Sequence, residues 1–348
     1  MLDIYAGDTA LKIIKEQGFQ QQHFSSFLGA SGGPKWFCLF GLDKYVFGEF
    51  FKDRQAPLNL VGSSAGAFRS ACFAQQDPVA AITRMAKSYS ETTYSAKPKP
   101  AEITAKAREL LDYVLGERGV QQIIHNPVFK AHFLANKTNG FVSSEKNAIQ
   151  ILGLIKSIGF NRLDRRFIRD QYERFVFKAP SSTLKINDYC QFKTQYVDLT
   201  EHNLADALLA SGSIPLVMQG IRDIAGAPKG MYRDGGIIDY HFDFQLENND
   251  GLILYPHFNA NPKAGWFDKN LKRTVKPENY DNIVMLVPSK EFVESLPYSK
   301  IPDRTDFTDM DAEQRIKYWR TVLSETERLA ESFHEFLINK DIQRIQRI

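Results

Sequence analysis

Cysteine is scarce in this sequence: Cys38, Cys72 and Cys190 are the only three, an odd and widely spaced set. So few exclude a disulfide framework, and their spacing is wrong for a structural zinc site. A reducing, cytoplasmic location is the expectation that follows. Long apolar runs are missing too, none approaching the length that spans a bilayer. The chain opens Met1-Leu2-Asp3-Ile4-Tyr5-Ala6-Gly7-Asp8, without the basic stretch and apolar core of a secretory leader, so neither export nor membrane spanning is expected. Charge of one sign is also absent, with 44 Lys and Arg against 41 Asp and Glu and a net charge of +3. The basic residues are interspersed with acidic ones and form no zinc-finger or basic-zipper pattern, so nucleic acid is not an expected partner. No internal repeat or low-complexity tract occurs. What is present is an apolar fraction of 43% over 348 residues, enough for the core of one large or two small domains.

The most informative residues are glycines. Gly62-Ser63-Ser64-Ala65-Gly66 follows the apolar run Leu58 to Val61 and precedes the helix-forming stretch Ala67 to Gln75. A serine at such a strand-to-helix turn is projected outward, and the flanking glycines remove the Cβ atoms that a tight bend cannot accommodate. The helix N-terminus also offers free N–H groups to a developing oxyanion. A second glycine turn, Leu28-Gly29-Ala30-Ser31-Gly32-Gly33-Pro34-Lys35, lies in the same kind of frame, after the strand-like Phe24 to Leu28 and before apolar residues at helical spacing from Trp36 to Phe50. Two such turns suggest one shared site, with Gly32 and Gly33 presenting backbone N–H groups at the carboxyl edge of a sheet.

A serine hydroxyl needs a base within reach. Ser64, Asp234 and His257 satisfy the chain order of an α/β-hydrolase triad, but only one clear strand is read before Leu58, where that fold sets its nucleophile after several. The stronger candidate is Asp234 in Met231-Tyr232-Arg233-Asp234-Gly235-Gly236-Ile237-Ile238. Asp-Gly is also a common hairpin turn. What favours the functional reading is the preceding stretch Leu204 to Pro215, which reads as a helix stopped by small residues and proline and is followed within twenty residues by the Asp-Gly-Gly turn.

These three blocks resemble the patatin-like phospholipases, serine acyl hydrolases, over about residues 24 to 260. The Ser64 pentapeptide is similar to that family's nucleophile elbow, Asp234-Gly235-Gly236 to its Asp-Gly-Gly or Asp-Gly-Ala block, and Ala207 to Pro215 to the helix-to-proline segment between them. The resemblance implies a three-layer α/β/α sandwich with a mostly parallel central sheet. It further implies a dyad in which Ser64 attacks an ester carbonyl and Asp234 accepts its proton, with Gly32, Gly33 and the N–H of Ala65 as oxyanion donors. The family's loop reads G-G-G-x-R/K-G, whereas this chain has Ser31-Gly32-Gly33-Pro34-Lys35-Trp36, keeping the middle glycines and the basic residue. Lys35, Trp36 and His241 join the site as candidate substrate-binding residues, although an aromatic at a helix start commonly packs in the core.

The resemblance implies a lipid or acyl-ester substrate, most directly a phospholipid or lysophospholipid, and no cofactor or calcium. A lipid-binding protein with a decayed site, a neutral lipase and a thioesterase are the alternatives. After the aspartate the family often continues to an asparagine-proline pair, but here the chain reads Ile238-Asp239-Tyr240-His241-Phe242-Asp243. On a strand, Asp239, His241 and Asp243 would share one face, either as metal ligands or as a polar rim, and no metal is expected because second ligands at recognisable spacing are absent.

Organisation along the chain reads as a catalytic domain over 1–280 with a helical insert at about 95–180, then a late strand and a C-terminal helical extension over 281–348. Within the insert, Ala101 to Gly116 is helical in composition and Ala148 to Ile155 is apolar enough to cover an active site. There Arg162, Arg165, Arg166, Arg169 and Arg174 interleave with Phe160, Phe167, Tyr172 and Phe175, offering either a peripheral contact with anionic lipid or a solvated helix face. A stripe of Ile316, Trp319, Val322, Leu323, Leu329, Phe333, Phe336 and Leu337 predicts a final helix from Asp311 to about Asn339, packed on the body or on a second copy in a homo-oligomer.

Overall fold

A computed structural model describes residues 1–348. Its strands are β1 (Leu2–Ala6), β2 (Phe24–Gly29), β3 (Leu58–Ser63), β4 (Phe129–Thr138), β5 (Tyr172–Lys178), β6 (Lys185–Asn187), β7 (Thr194–Asp198), β8 (Ile221–Arg222), β9 (Met231–Asp234), β10 (Gln245–Glu247), β11 (Leu252–Pro256), β12 (Ile283–Pro288) and β13 (Ile345–Arg347). Eleven of these form one sheet with the path β13-β1-β12-β11-β2-β3-β4-β5-β7, to which β9 and β8 attach through β4, while β6 and β10 form a separate pair. From β12 through β4 every pairing is parallel. The expectation of an α/β/α architecture around a mostly parallel sheet holds.

Parallel strands are buried on both faces, and β2 and β3 have apolar residues on each. Phe27 and Leu60 point into the larger core, with Trp36, Phe37 and Phe73, while Leu28 and Val61 point into a second core with Tyr255, Phe242 and Met285. The helices Phe40–Tyr45 and Ala65–Phe73 are locked together by a fully buried pair in which Arg69 Nε and Nη2 donate to the Asp43 carboxylate at 2.8 and 2.6 Å. A buried pair of this kind fixes geometry more than it adds stability.

Two expectations about organisation are corrected. Residues 95–180 are not a helical insert, because β4 and β5 lie within them and β4 is a central strand of the sheet. The 281–348 segment is not merely packed on the core either: β12 sits between β1 and β11 as an integral strand. The predicted C-terminal helix is two helices, Ala312–Glu325 and Glu327–Asn339. Its stripe packs on the body of the same chain, with Trp319 against Phe37 and Phe333 against Phe19, Tyr45 and Phe50, so it is not free for a second copy. No helix is long and apolar enough to cross a membrane.

Candidate functional site

Strand β4 joins the two halves of the site. Its first half pairs with β3 up to Ser63 opposite Leu134, and its second half pairs with β9 beginning at Asp234 opposite Ala135. Ser64 and Asp234 are thereby brought to adjacent rungs, although they lie 170 residues apart in sequence. Asn136, also on β4, donates from Nδ2 to the carbonyls of Asp234 and Gly235 at 2.7 and 3.1 Å and pins the turn that follows the aspartate.

Ser64 is held in the strained turn its neighbours predict, at φ 53° and ψ −125°, between β3 and the helix Ala65–Phe73. Such backbone outliers cost on the order of 1–3 kcal/mol and persist where surroundings enforce them. Here the enforcement is a close approach to β2: a Cβ on Gly66 would stand 1.7 Å from the Gly29 carbonyl oxygen. Ser211, at the end of the helix Leu204–Gly212, accepts from the Ser64 N–H at 2.9 Å and donates to the Leu134 carbonyl at 2.6 Å. The following Ser213 carbonyl accepts from the Asp234 N–H at 3.1 Å. The helix-to-proline segment is therefore the clamp holding both residues.

The Ser64 hydroxyl donates to Asp234 Oδ2 at 2.8 Å, and the Gly236 N–H donates to Oδ1 at 2.7 Å. Burial pushes the Asp234 carboxyl up to about 6, with these hydrogen bonds and the charges of Arg304 and Lys269 opposing the rise. A carboxylate raised in this way stays mostly ionised at neutral pH yet is a better proton acceptor than a solvated one. Gly32 and Gly33 form the adjacent turn at φ 153° and 56°, and neither N–H donates within the chain. Ala65 opens its helix, so its N–H belongs to a first turn without intrahelical acceptors.

Two spaces meet at Ser64. One is a cavity of about 380 Å³ lined mainly by apolar side chains, among them Phe68, Met85, Ile103, Leu110 and Phe307. The other, of about 100 Å³, is polar and reaches Asp234, Tyr240, Lys35, Lys269 and Arg304. Lys35 pairs with Asp303 at 2.5 Å, whereas Lys269 lies 4.1 Å over the Tyr240 ring and Arg304 stands at the junction of both spaces.

Of the sequence candidates, Ser64, Asp234, Gly32, Gly33, Ala65 and Lys35 line these spaces. Trp36 does not: it is buried against Phe37, in keeping with the packing alternative. His241 is buried away from both spaces, its Nδ1 accepting from the Lys263 N–H at 2.9 Å and its ring 4.3 Å from that of His257. His257 Nδ1 is engaged with Asn259, so no Ser-His-Asp triad forms. The strand expected at 239–243 is absent. Asp239 instead pairs with Arg174, and Asp243 accepts from Tyr189 and Asn279, so the three residues share no face. Sequence reasoning missed Lys269, Arg304 and Tyr240, which carry no local motif, and missed Ser211, whose signal was its position in a small-residue helix stop.

The family model of the patatin-like phospholipases matches residues 30–241, a span holding Gly32, Gly33, Ser64 and Asp234. The chain belongs to the patatin-like phospholipase family, and membership supports a lipid acyl hydrolase in general terms. Among solved structures it is similar to human GIVD cytosolic phospholipase A2, at 10% identity and a TM-score of 0.39, over 97% of this chain and 63% of that one. It is also similar to VipD from Legionella pneumophila, at 11% identity and a TM-score of 0.33, over 89% of this chain and 67% of that one. The chain thus spans less than two thirds of the phospholipase A2 chain. No curated protein matches it.

Proposed function

We propose that this chain is a lipid acyl hydrolase of the phospholipase A or lysophospholipase type, cleaving a carboxylic ester through an acyl-enzyme on Ser64 with Asp234 as general base. The observation that carries the reading is the 2.8 Å hydrogen bond from Ser64 to Asp234 where an apolar cavity meets a polar pocket. Ser64 Oγ attacks the ester carbonyl carbon as its proton passes to Asp234 Oδ2. The carbonyl oxygen gains charge opposite the Gly32 and Gly33 N–H groups and the helix terminus at Ala65. Collapse breaks the ester C–O bond, and Asp234 returns the proton to the departing alkoxide. Water then attacks the acyl-enzyme with Asp234 again as base, releasing the fatty acid and the free serine. The 380 Å³ cavity falls in the range of about 300–1,000 Å³ typical of ligand pockets and suits an acyl chain.

The test is labelling of the purified protein with a fluorophosphonate, with Ser64→Ala alongside. Labelling that disappears in the variant, followed by fatty-acid release from phospholipid, supports the reading. A folded parent that retains lipid but neither labels nor releases fatty acid is a binding protein, and the reading fails.

A further inference from the structure

The helix Asn147–Leu163 turns most of its large apolar side chains outward. Its buried face carries Gln150, Ser157 and Asn161 together with Gly153 and Leu154, while Ile151, Leu152, Ile155, Ile158 and Leu163 face solvent, Leu152 and Ile155 at 59% exposure and Leu163 at 75%. The inward polar groups are satisfied, so the orientation is specified: Gln150 Oε1 accepts from the Leu216 N–H at 2.8 Å, Ser157 Oγ bonds the Tyr172 hydroxyl at 2.9 Å, and Asn161 Nδ2 donates to Asp268 Oδ1 at 2.8 Å. A stretch this apolar facing water is an interaction surface, since monomeric proteins seldom expose contiguous patches of that kind. The charged residues within the helix, Lys156 and Arg162, are both cations and both exposed, and Phe167 continues the patch beyond its end.

We infer that this face docks on an anionic lipid bilayer, with the helix lying in the interfacial plane. Three observations select a bilayer over a protein. The helix is 17 residues long and lies along the surface with its apolar side outward, the disposition of an interfacial helix. Its charge is of one sign and sits on the long stems of Lys156 and Arg162, which reach from an apolar layer to headgroups. The contacts beneath it lead to both spaces at Ser64. Leu216, held by Gln150, lies between the lining residues Pro215 and Val217, and Asp268, held by Asn161, lies between Trp266 and Lys269 of the polar pocket. A docked helix therefore sets the mouth of the site at the layer where an acyl ester resides; this part of the inference rests on the proposed lipid hydrolase reading.

The structure also narrows the basic, aromatic surface expected from sequence. Arg165 and Arg174 are buried in pairs with Asp268 and with Asp188 and Asp239, and Tyr172 and Phe175 are core residues of β5, leaving Arg162, Arg166, Arg169, Phe160 and Phe167 outside.

The experiment is vesicle co-flotation of Ser64→Ala, of the parent and of the double variant Leu152→Ser, Ile155→Ser, using phosphatidylcholine vesicles with and without phosphatidylglycerol. The parent and Ser64→Ala should bind alike and more tightly when phosphatidylglycerol is present. The double variant should lose about tenfold or more in affinity, the loss expected from removing two buried aliphatic side chains from the contact. Its fluorophosphonate labelling, read without vesicles, should be unchanged, which shows that it is folded. Equal binding by parent and double variant, or no binding by the parent, would overturn the inference. So would a parent dimer in sedimentation that the double variant breaks, because the face would then belong to a second copy. Vesicle binding without labelling would leave the docking inference standing while removing the catalytic reading.

Discussion

The two spaces that meet at Ser64 differ in size and in the share of charged groups they offer a ligand. The larger is walled mainly by apolar side chains such as Phe68, Met85, Leu110 and Phe307, with Lys106 and Arg304 among its lining residues. The smaller brings Lys35, Lys269 and Arg304 around Asp234, beside Ile214, Ile237 and Trp266. On the proposed reading, an ester lying across the serine would set its acyl chain in one space and its leaving group in the other. On the same reading, a single carboxylate serves as base. Burial raises Asp234 toward 6, while the charges of Arg304 and Lys269 and two hydrogen bonds keep it from rising further.

The comparison breaks most completely if the base is removed. Asp234→Asn keeps the shape and the hydrogen bond from Gly236 but cannot accept the Ser64 proton, so kcat should fall by about a thousandfold or more, read in steady-state assays with a soluble ester. The same variant should be more stable than the parent at neutral pH. Because the folded-state pKa of Asp234 lies above its ordinary value of 3.8, ionising it costs stability progressively as pH rises through about 6. Thermal melts should show a gain for Asp234→Asn above pH 6 that fades toward pH 4. Loss of turnover without that pH-dependent gain would mean that the carboxyl is not raised.

Filling the apolar space should separate substrates by chain length. Ala107 lines it, and Ala107→Trp inserts an indole where an acyl chain would run. Long-chain esters should lose about a hundredfold in kcat/KM while an acetate ester loses little, because a chain of many methylenes forfeits about 0.8 kcal/mol for each one left unburied. Equal losses on both would place the acyl chain elsewhere. On the polar side, the double variant Lys269→Ala, Arg304→Ala should raise KM about tenfold for an ester with an anionic leaving group and leave a neutral ester nearly unchanged, since exposed charge pairs contribute about 1 kcal/mol or less each. An equal response from both esters would show that the cations do not read the leaving group.

How far the sequence foretold this arrangement depended on whether a residue's role was written into its neighbours. Ser64 and Gly66 were legible because a close backbone approach admits only glycine, and the 1.7 Å contact that a Cβ would make with Gly29 is the physical reason. Asp234 was legible for the same cause, through the two glycines after it. Strand β4 was not, because Phe129-Lys-Ala-His-Phe-Leu-Ala-Asn-Lys-Thr138 lies under both faces of a sheet and has no alternation to read. β1 does alternate, with Leu2, Ile4 and Ala6 buried, but five residues leave a weak signal. Apolar stripes told still less about direction. Asn147–Leu163 is apolar nearly all round and turns Ile151, Leu152, Ile155 and Ile158 to water, whereas Glu327–Asn339 has one clear apolar stripe, which faces Phe19 and Phe50. The difference lies in the polar partners that the first helix finds inside, at Leu216, Tyr172 and Asp268, which no local pattern encodes. Lys269 and Arg304 reach the site only through tertiary closure and so were invisible.

The smallest expected effect is also the one that links the two spaces. Arg304 and Lys269 both lower the Asp234 carboxyl through their charge, against the larger effect of burial. Removing them should therefore raise it, and the acidic limb of kcat/KM against pH, expected near 6 in the parent, should move to higher pH. Both side chains are solvent-exposed at the pocket rim. Water and salt screen their fields, so the move should be a fraction of a pH unit and should shrink as salt is added. Ala107→Trp alters only the apolar wall and should leave the limb where it was. A limb unmoved by loss of both cations would make them binding residues alone; a limb that moves in low salt and returns in high salt would show that the cations of the polar space tune the carboxyl through their fields.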